Sequence, residues 1–280
     1  MGDSLRQLQL AEIDILKKLL NIFEKHNITY YMLGGTLLGA VRHKGFIPWD
    51  DDMDIGLPRP DYEKFLCIAE QEIEAPLQLH TLKNKNGEYS YYYARVENIS
   101  LKVKRYISAK TVIIPAWVDV FPLDGVPTEP KDLEKWYRRF KRNKMLFELS
   151  QFEYKFSLTS THRTHQKAAL FIKKAIYYTK AYKFLNTMRA WNRLDILLKS
   201  VDYSSSERLI NACGHWGLKE MFPKSVYGKG RLYQFEDLML NGPEDYDYVL
   251  KQMYGDYMTP PPEDQREHHH IELIHNWEEK

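Results

Sequence analysis

The sequence predicts an α+β protein in which a mixed β-sheet and its helices form one compact core that a basic helical insertion extends. Three observations support this prediction. Helical and β-type periodicities alternate in the first 127 residues, Lys and Arg concentrate in the middle third, and no internal repeat or low-complexity segment divides the chain. We therefore predict a single domain over residues 1–280, made of a core (1–127), the insertion (128–203) and a C-terminal part (204–280).

The first elements follow from simple patterns. Apolar residues recur every three or four positions up to Phe23, which predicts a first helix that ends near Asn27. The β-rich run 28–33 stops at Gly34 and Gly35, which predicts a strand and a tight turn. A short helix is expected over residues 36–43.

The later elements are predicted in the same way. Residues 53–57 predict a second strand, and Asp61 is expected to cap the helix that follows it. Further strands are predicted at residues 77–82, 89–96, 101–106 and 117–121. Long helices are expected at 133–149 and 164–199, and a mixture of short helices and strands from residue 204 onwards.

Composition and charge limit the possible functions. The two cysteines lack metal-ligand spacing, no apolar run has the length of a membrane span, and the first twelve residues lack a secretory-signal pattern, so a cytoplasmic setting is expected. Residues 131–199 contain 17 Lys and Arg against 5 Asp and Glu, a net charge of +12, so the rest of the chain carries −10 of the total +2. This segment favours an anionic membrane, nucleic acid or glycan precursor, and a solvated lysine-rich helix face is the alternative.

The densest group of acidic residues follows the glycine turn. Residues two apart on a strand share a face, so Asp52 and Asp54 should project side by side. Two such carboxylates repel each other unless a cation lies between them, and Mg²⁺ with a phosphate-bearing substrate meets that requirement. Asp119 is a lone carboxylate in an apolar strand, and it would join the pair if the two strands are neighbours.

Phosphate-binding groups are expected near these acids. Gly34, Gly35 and Thr36 open a helix whose backbone N–H groups and dipole suit a phosphate. Arg42 and His43 are candidates for phosphate oxygens, although a helix C-terminus also favours cations without any ligand. Trp49 is either a substrate wall or a packing residue, and Asp50 and Asp51 are either outer acids of the site or solvated.

The order of these motifs is typical of the polymerase-β-like nucleotidyltransferase fold. Their amino-acid sequences resemble those of the LicD-type phosphotransferase family. Residues 35–55 resemble the first block of that family, 117–125 the second and 254–258 the third. The resemblance spans residues 30 to 262 and implies that Asp52, Asp54 and Asp119 are the metal-binding and catalytic acids. It also implies that the C-terminal part completes the active site.

The resemblance further implies Mg²⁺-dependent transfer of phosphocholine from CDP-choline to a sugar hydroxyl of a cell-surface glycan precursor, such as teichoic acid, with release of CMP. Mn²⁺ is an alternative cation. Fukutin-type relatives transfer ribitol phosphate, so another CDP-linked polyol phosphate, ribitol or glycerol phosphate, stays open as the cargo. A nucleic-acid nucleotidyltransferase is a further alternative, although nucleic acid is not an expected partner.

The expected partners are a CDP-alcohol, a lipid-linked glycan acceptor and an anionic membrane, contacted peripherally at its inner face through the basic helices. A choline group would need aromatic faces around its quaternary ammonium. The sequence offers more aromatic candidates than such a cage needs, and packing is the alternative role for each: Tyr89, Tyr91, Tyr92, Tyr93, Trp117 and Phe121. The acceptor sugar, the number of metal ions and the oligomeric state stay open.

Overall fold

The computed structural model describes residues 2–84, 91–107, 110–151, 178–263, 266 and 271–274. The first half contains α1 (Gly2–Lys25), β1 (Tyr31–Met32), α2 (Gly34–His43), β2 (Asp54–Pro58), α3 (Arg59–Glu72), β3 (Leu77–His80), β4 (Ala94–Ile107) and β5 (Lys110–Gly125). The second half contains α4 (Pro130–Ser150), α5 (Thr187–Leu198), β6 (Arg208–Ile210), β7 (Met221–Pro223), α6 (Lys224–Tyr227), β8 (Arg231–Phe235), β9 (Leu238–Gly242), α7 (Tyr246–Tyr254) and β10 (Ile271–Ile274).

Eight strands form one mixed sheet, as the sequence predicts. Its main path runs β1-β2-β5-β4-β10, while β3 pairs with β4, and β6 pairs with β5 and β7. The β2–β5 pair is parallel, and the other pairs among the described strands are antiparallel. β8 and β9 form a separate hairpin. The central position of β2 and β5 is what brings the predicted acidic segments together.

Helix α1 covers the sheet with one apolar face. It packs against β4 and β5, and Leu8, Ile15, Leu16 and Leu19 are fully buried there. Each buried side chain of this kind stabilises the fold by about 1.5–3 kcal/mol. Among the described residues, no helix is both long and apolar enough to cross a membrane.

The described part of the predicted insertion packs in a second apolar cluster, which it shares with residues outside the insertion. Helices α4 and α5 pack against each other, and the rings of Trp136 and Phe140 stack with 5.6 Å between their centroids. Leu194 and Leu197 of α5 complete this contact, together with residues from β6 and β7. Much of the predicted helical region, residues 152–177, lies outside the described residues.

Several predicted boundaries near the site are wrong. Helix α2 begins at Gly34, so the two glycines form its first turn and not a separate turn before it. Strand β2 begins at Asp54, so Asp52 precedes the strand. Asp61 does not cap α3, because Pro58 occupies the cap position. The Asp61 carboxylate instead accepts a hydrogen bond from the Thr29 N–H, at 3.2 Å.

The two strands predicted at 89–96 and 101–106 are one strand. β4 is continuous from Ala94 to Ile107, and a register shift between Asn98 and Lys102 accounts for the break in its apolar alternation. Tyr91 to Tyr93 precede this strand. The predicted strand at 89–96 would have placed these tyrosines alternately on its two faces. In the structure they lie before the strand and do not alternate in this way.

Candidate active site

Two acidic residues lie opposite each other at the centre of the sheet. In the parallel β2–β5 pair, Asp54 is the register partner of Asp119. The Asp119 N–H donates to the Met53 carbonyl oxygen at 2.9 Å, which fixes this register. Register partners on neighbouring strands project from the same face of a sheet. The structure therefore brings these two predicted site residues together.

The Asp119 carboxylate is held by an arginine that we did not select from the sequence. Arg95 of β4 is also in register with Asp119, and its Nε and Nη2 atoms donate to Oδ1 and Oδ2 at 2.6 and 3.0 Å. Both residues are buried. A bidentate pair of this kind fixes the orientation of the carboxylate and offsets its charge. Arg95 thus belongs to the site.

Three consecutive acids form a second group beside this pair. Asp50, Asp51 and Asp52 each offer a carboxylate oxygen, and these oxygens all lie within 4.8 Å of one another. Asp51 is 1 % exposed, so it is not a solvated surface acid. Asp52 groups with its sequence neighbours rather than projecting from a strand beside Asp54. Oxygen donors in such a cluster suit a hard divalent cation.

The glycines at the start of α2 allow the carboxylates to approach the helix closely. A β-carbon on Gly35 would lie 2.5 Å from Asp50 Oδ2, and one on Gly34 would lie 3.4 Å from Asp54 Oδ2. Gly34 also has a φ of +48°, which disfavours other residues. The helix dipole stabilises negative charge at this end. The buried Thr36 hydroxyl accepts the Asp54 N–H at 2.8 Å and so positions the start of β2.

The electrostatics of the site favour a cation. Burial raises the pKa of Asp54 well above its usual range, and the negative charges of Asp52, Asp119 and Asp50 raise it further. A bound divalent ion would stabilise the charged carboxylates and reduce their repulsion. The residues present therefore fit Mg²⁺ or Mn²⁺, because the donors are all hard oxygen atoms.

Arg42 and His43 lie further from the acids, near the C-terminus of α2. Arg42 is about 12 Å from Gly34 along the helix axis, at 1.5 Å per residue. Its Nε donates to His43 Nε2 at 2.9 Å and its Nη1 to the Tyr257 carbonyl at 2.7 Å. Burial and the charge of Arg42 lower the pKa of His43, so this ring is neutral at pH 7. Their contact with phosphate stays a prediction.

One face of Trp49 is already covered. The Arg266 guanidinium lies over this ring, 4.5 Å from its centroid, and His43 contacts the ring edge-on, with 6.3 Å between the centroids. Trp49 is only partly buried. It can still border a substrate, but part of its role is packing against these two side chains.

The C-terminal part of the chain reaches the same site. The Tyr254 hydroxyl would lie 3.9 Å from a β-carbon on Gly34, and the Tyr254 ring meets the edge of Trp216 with 5.9 Å between centroids. Nearby, the buried Glu220 accepts hydrogen bonds from Asn211 Nδ2 at 2.8 Å and from the Trp216 N–H at 2.9 Å. These residues border the helix end where the acids gather.

Comparison with known proteins identifies the family. The chain is 31 % identical over 269 residues to the lipopolysaccharide cholinephosphotransferase LicD of Haemophilus influenzae, a match that covers 96 % of this chain and 97 % of that protein. The chain belongs to the LicD family. Residues 27–155 also match the family model described as LicD/FKTN/FKRP, nucleotidyltransferase domain. The protein is therefore a phosphotransferase with a nucleotidyltransferase domain, and that domain contains Asp52, Asp54 and Asp119.

A shorter similarity links this LicD-family chain to ribitol 5-phosphate transferases. The FKRP proteins of Homo sapiens and Mus musculus are 47 % identical to it over 36 residues, which is 13 % of this chain and 7 % of theirs. The resemblance stated from the sequence motifs is thus confirmed at the level of the family. The roles of individual residues stay predictions.

Three buried charged residues near these acids were missed at the sequence level. Glu12 had a signal, because it shares a helix face with Leu8, Ile15 and Leu19, where a charged residue is unusual. Arg95 had a weaker signal, a cation between two apolar residues. Glu220 had none, because it ends a 3-10 helix (Gly217–Glu220) that is too short to show a periodic apolar pattern.

The buried Glu220 makes the stability of this protein pH-dependent. Burial raises its pKa to about 7, although its two hydrogen bonds act in the opposite direction. An ordinary glutamate in the unfolded chain titrates near 4.3. The folded state binds the extra proton between these values, so stability should fall by up to roughly 3 kcal/mol as the pH rises from about 4.5 to 7.

We expect Glu220→Gln to reduce this pH dependence by the part that Glu220 contributes, because glutamine does not ionise. Urea unfolding at pH 5 and pH 7.5 measures the effect. Glu207→Gln, at an exposed position, is the matched control and should keep the wild-type difference between the two pH values. An equal loss of stability with pH in Glu220→Gln and in the wild type would rule out Glu220 as the group responsible.

Proposed function

We propose that the protein transfers phosphocholine from CDP-choline to a sugar hydroxyl of a cell-surface glycan precursor and releases CMP. The proposal that phosphocholine is the transferred group rests on one observation. The chain is similar, over nearly the whole of both chains, to a protein named as a cholinephosphotransferase. That relative is named for lipopolysaccharide, whereas the resemblance implied a cell-surface glycan precursor such as teichoic acid. We propose a lipid-linked glycan with a free sugar hydroxyl, the feature common to both.

In this proposal, Asp52, Asp54 and Asp119 hold Mg²⁺ or Mn²⁺, and Asp50 is a further oxygen donor. The cation, when bound, neutralises the charge of the donor diphosphate and of the leaving CMP. Arg95 occupies both oxygens of Asp119 with hydrogen bonds, and each oxygen keeps a further lone pair. We therefore assign Asp119 to the cation rather than to the acceptor proton.

The rest of the reaction follows from the groups around the acids. The unpaired N–H groups in the first turn of α2 bind diphosphate oxygens, and Arg42 and His43 contact the more distant part of the donor. The acceptor hydroxyl oxygen forms a bond to the phosphorus of phosphocholine, and the proton of that hydroxyl passes to solvent water. The bond between that phosphorus and the bridging oxygen breaks, and its electron pair leaves with CMP.

Most of the aromatic rings that the sequence offered for a choline cage already contact other side chains of the protein. The Arg95 guanidinium lies over Tyr91 and Trp117, 4.6 and 4.9 Å from their centroids. Tyr93 packs on Phe121 at 4.3 Å, and Tyr89 lies outside the described residues. Transfer of ribitol or glycerol phosphate, which needs no aromatic cage, is therefore the second candidate, and the local FKRP similarity favours ribitol.

A CMP-release assay with CDP-choline, CDP-ribitol and CDP-glycerol, with and without Mg²⁺, tests the proposed function. We expect release from CDP-choline to be fastest and to stop when EDTA removes the cation. Faster CMP release from CDP-ribitol would show that ribitol phosphate is the transferred group, and the proposed reaction class would stand. Absence of release from every CDP-alcohol, in the presence of a glycan acceptor, would contradict the class itself.

We also propose peripheral contact with an anionic membrane on the cytoplasmic side. Tyr178 and Phe184 are 76 and 91 % exposed, and the exposed Lys180 and Lys183 lie between them in sequence. Exposed aromatic rings among cations suit the interface of an anionic bilayer.

Replacing Lys180 and Lys183 together with glutamine should weaken binding to phosphatidylserine vesicles about 30-fold, at about 1 kcal/mol per lysine. Vesicle sedimentation at constant salt measures this. A control with Lys18 and Lys229 changed to glutamine, both exposed elsewhere, should bind like the wild type. Unchanged binding of the first variant would reject this surface, and steeply salt-dependent oligonucleotide binding would favour the nucleic-acid interpretation instead.

A further inference from the structure

Helix α1 places a buried carboxyl group against the acidic site. Glu12 is 0 % exposed, and neither of its oxygens has a hydrogen-bond partner among the described residues. The charges that act on it most are those of Asp52, Asp51 and Asp50, which together with burial raise its pKa well above the usual range. A buried polar group without a partner is rare in folded proteins and requires an explanation.

The neighbouring turn of α1 shows which way this helix face points. Gln9 is buried, and its Nε2 donates to the Asp50 carbonyl oxygen at 3.0 Å. Residues three apart on a helix lie on the same face. The face that carries Gln9 and Glu12 therefore contacts the segment that holds the three clustered acids.

The missing partner of Glu12 must be a hydrogen-bond donor or a cation. Leu8, Ile15 and Leu19 on this helix face are apolar and buried, and the amide group of Gln9 already donates to the Asp50 carbonyl oxygen. The charged groups that act most on Glu12 are acidic. None of these described residues donates a hydrogen bond to Glu12. A hydrated divalent cation among the clustered acids would supply one, because its water molecules are strong hydrogen-bond donors.

We propose that Glu12 is a positioning residue of the cation site, in which its carboxyl group accepts hydrogen bonds from the hydration shell of the divalent ion. This inference rests on the proposed function, since it needs a cation at the clustered acids. It extends the site to the N-terminal helix, which lies before the matched nucleotidyltransferase domain at residues 27–155. Removing such a partner from a metal site typically weakens metal binding 10–100-fold.

Calorimetric titration of the full chain with Mn²⁺ tests this inference without any measurement of activity. We expect Glu12→Gln to raise the Mn²⁺ dissociation constant about tenfold or more. Asp14→Asn, which neutralises an exposed carboxylate two residues later on the same helix, should leave that constant unchanged. The metal-free melting temperature of Glu12→Gln should equal or exceed that of the wild type, because the variant cannot carry a buried negative charge.

A second variant keeps the test decisive if glutamine is poorly accommodated. Glu12→Met has a similar length and no polar oxygen, so it should fold stably among its apolar neighbours and bind Mn²⁺ at least as weakly. Wild-type affinity in both variants would overturn the role of Glu12. Asp52→Asn separates the two proposals: if it abolishes Mn²⁺ binding while the Glu12 variants bind normally, only this inference fails. If the wild-type protein does not bind Mn²⁺, both fail.

Discussion

Replacing Asp54 with asparagine is expected to lower phosphocholine transfer by about 10³-fold and to raise the melting temperature of the metal-free protein. Asparagine has the same shape but cannot bind a cation as a carboxylate does. The gain in stability follows because Asp54 is a partly buried acid beside Asp52 and Asp119, and its raised pKa means that ionisation destabilises the fold. CMP release and thermal melting in EDTA measure the two effects.

The opposite signs of these two effects make the result specific. A merely structural acid would lower both activity and stability when changed, whereas a site acid under charge repulsion lowers only activity. Asp52→Asn should behave in the same direction, and Asp14→Asn, at an exposed position, should change neither quantity. Full activity in Asp54→Asn, or a clear drop in its melting temperature, would refute the role assigned to this carboxylate.

The second large effect is expected from Arg95. Arg95→Met leaves the buried Asp119 without the arginine that holds both its oxygens, and breaking a buried pair in this way costs about 3–5 kcal/mol of stability. Because a cation would then be a replacement partner for Asp119, Mg²⁺ should raise the melting temperature of Arg95→Met more than that of the wild type. Thermal melting with and without Mg²⁺ measures both.

A second buried arginine provides a matched control. Arg59 donates from Nε and Nη2 to the buried Asp124 at 2.6 and 2.8 Å, with the same bidentate geometry as the Arg95 pair. Asp124 is not one of the acids assigned to the cation. Arg59→Met should therefore destabilise the protein by a similar amount and keep the wild-type response to Mg²⁺. Equal responses to Mg²⁺ in the two variants would show that Asp119 does not contact the cation.

The strands that carry the site were predictable because their patterns are local. Asp54 and Asp119 each interrupt an apolar run, and such a run indicates a buried strand whatever its partners are. The placement of Asp52 on the same strand was wrong, because the ladder begins at Asp54, where the Thr36 hydroxyl takes the Asp54 N–H. The Thr36 side chain, eighteen positions before Asp54, sets the start of this strand. A sequence pattern around Asp54 gives no information about that contact.

The partners of the acids were harder to predict than the acids themselves. Arg95 meets Asp119 only through the register of β4 on β5, which depends on the whole sheet. Tyr254 reaches Gly34 from the far end of the chain. Glu12 was also missed, although its position on an apolar helix face was visible in the sequence. A charged residue among the apolar positions of helix α1 is the signal that indicates a buried polar group there.

Asp52, Asp54 and Asp119 are expected to share one divalent cation, and anomalous diffraction from crystals grown with Mn²⁺ and CMP tests this most directly. We expect a single strong peak with a carboxylate oxygen of each of the three residues at about 2.1–2.2 Å from it. A peak bound by Asp50 and Asp51 alone, with Asp54 and Asp119 beyond coordination distance, would contradict the proposed site.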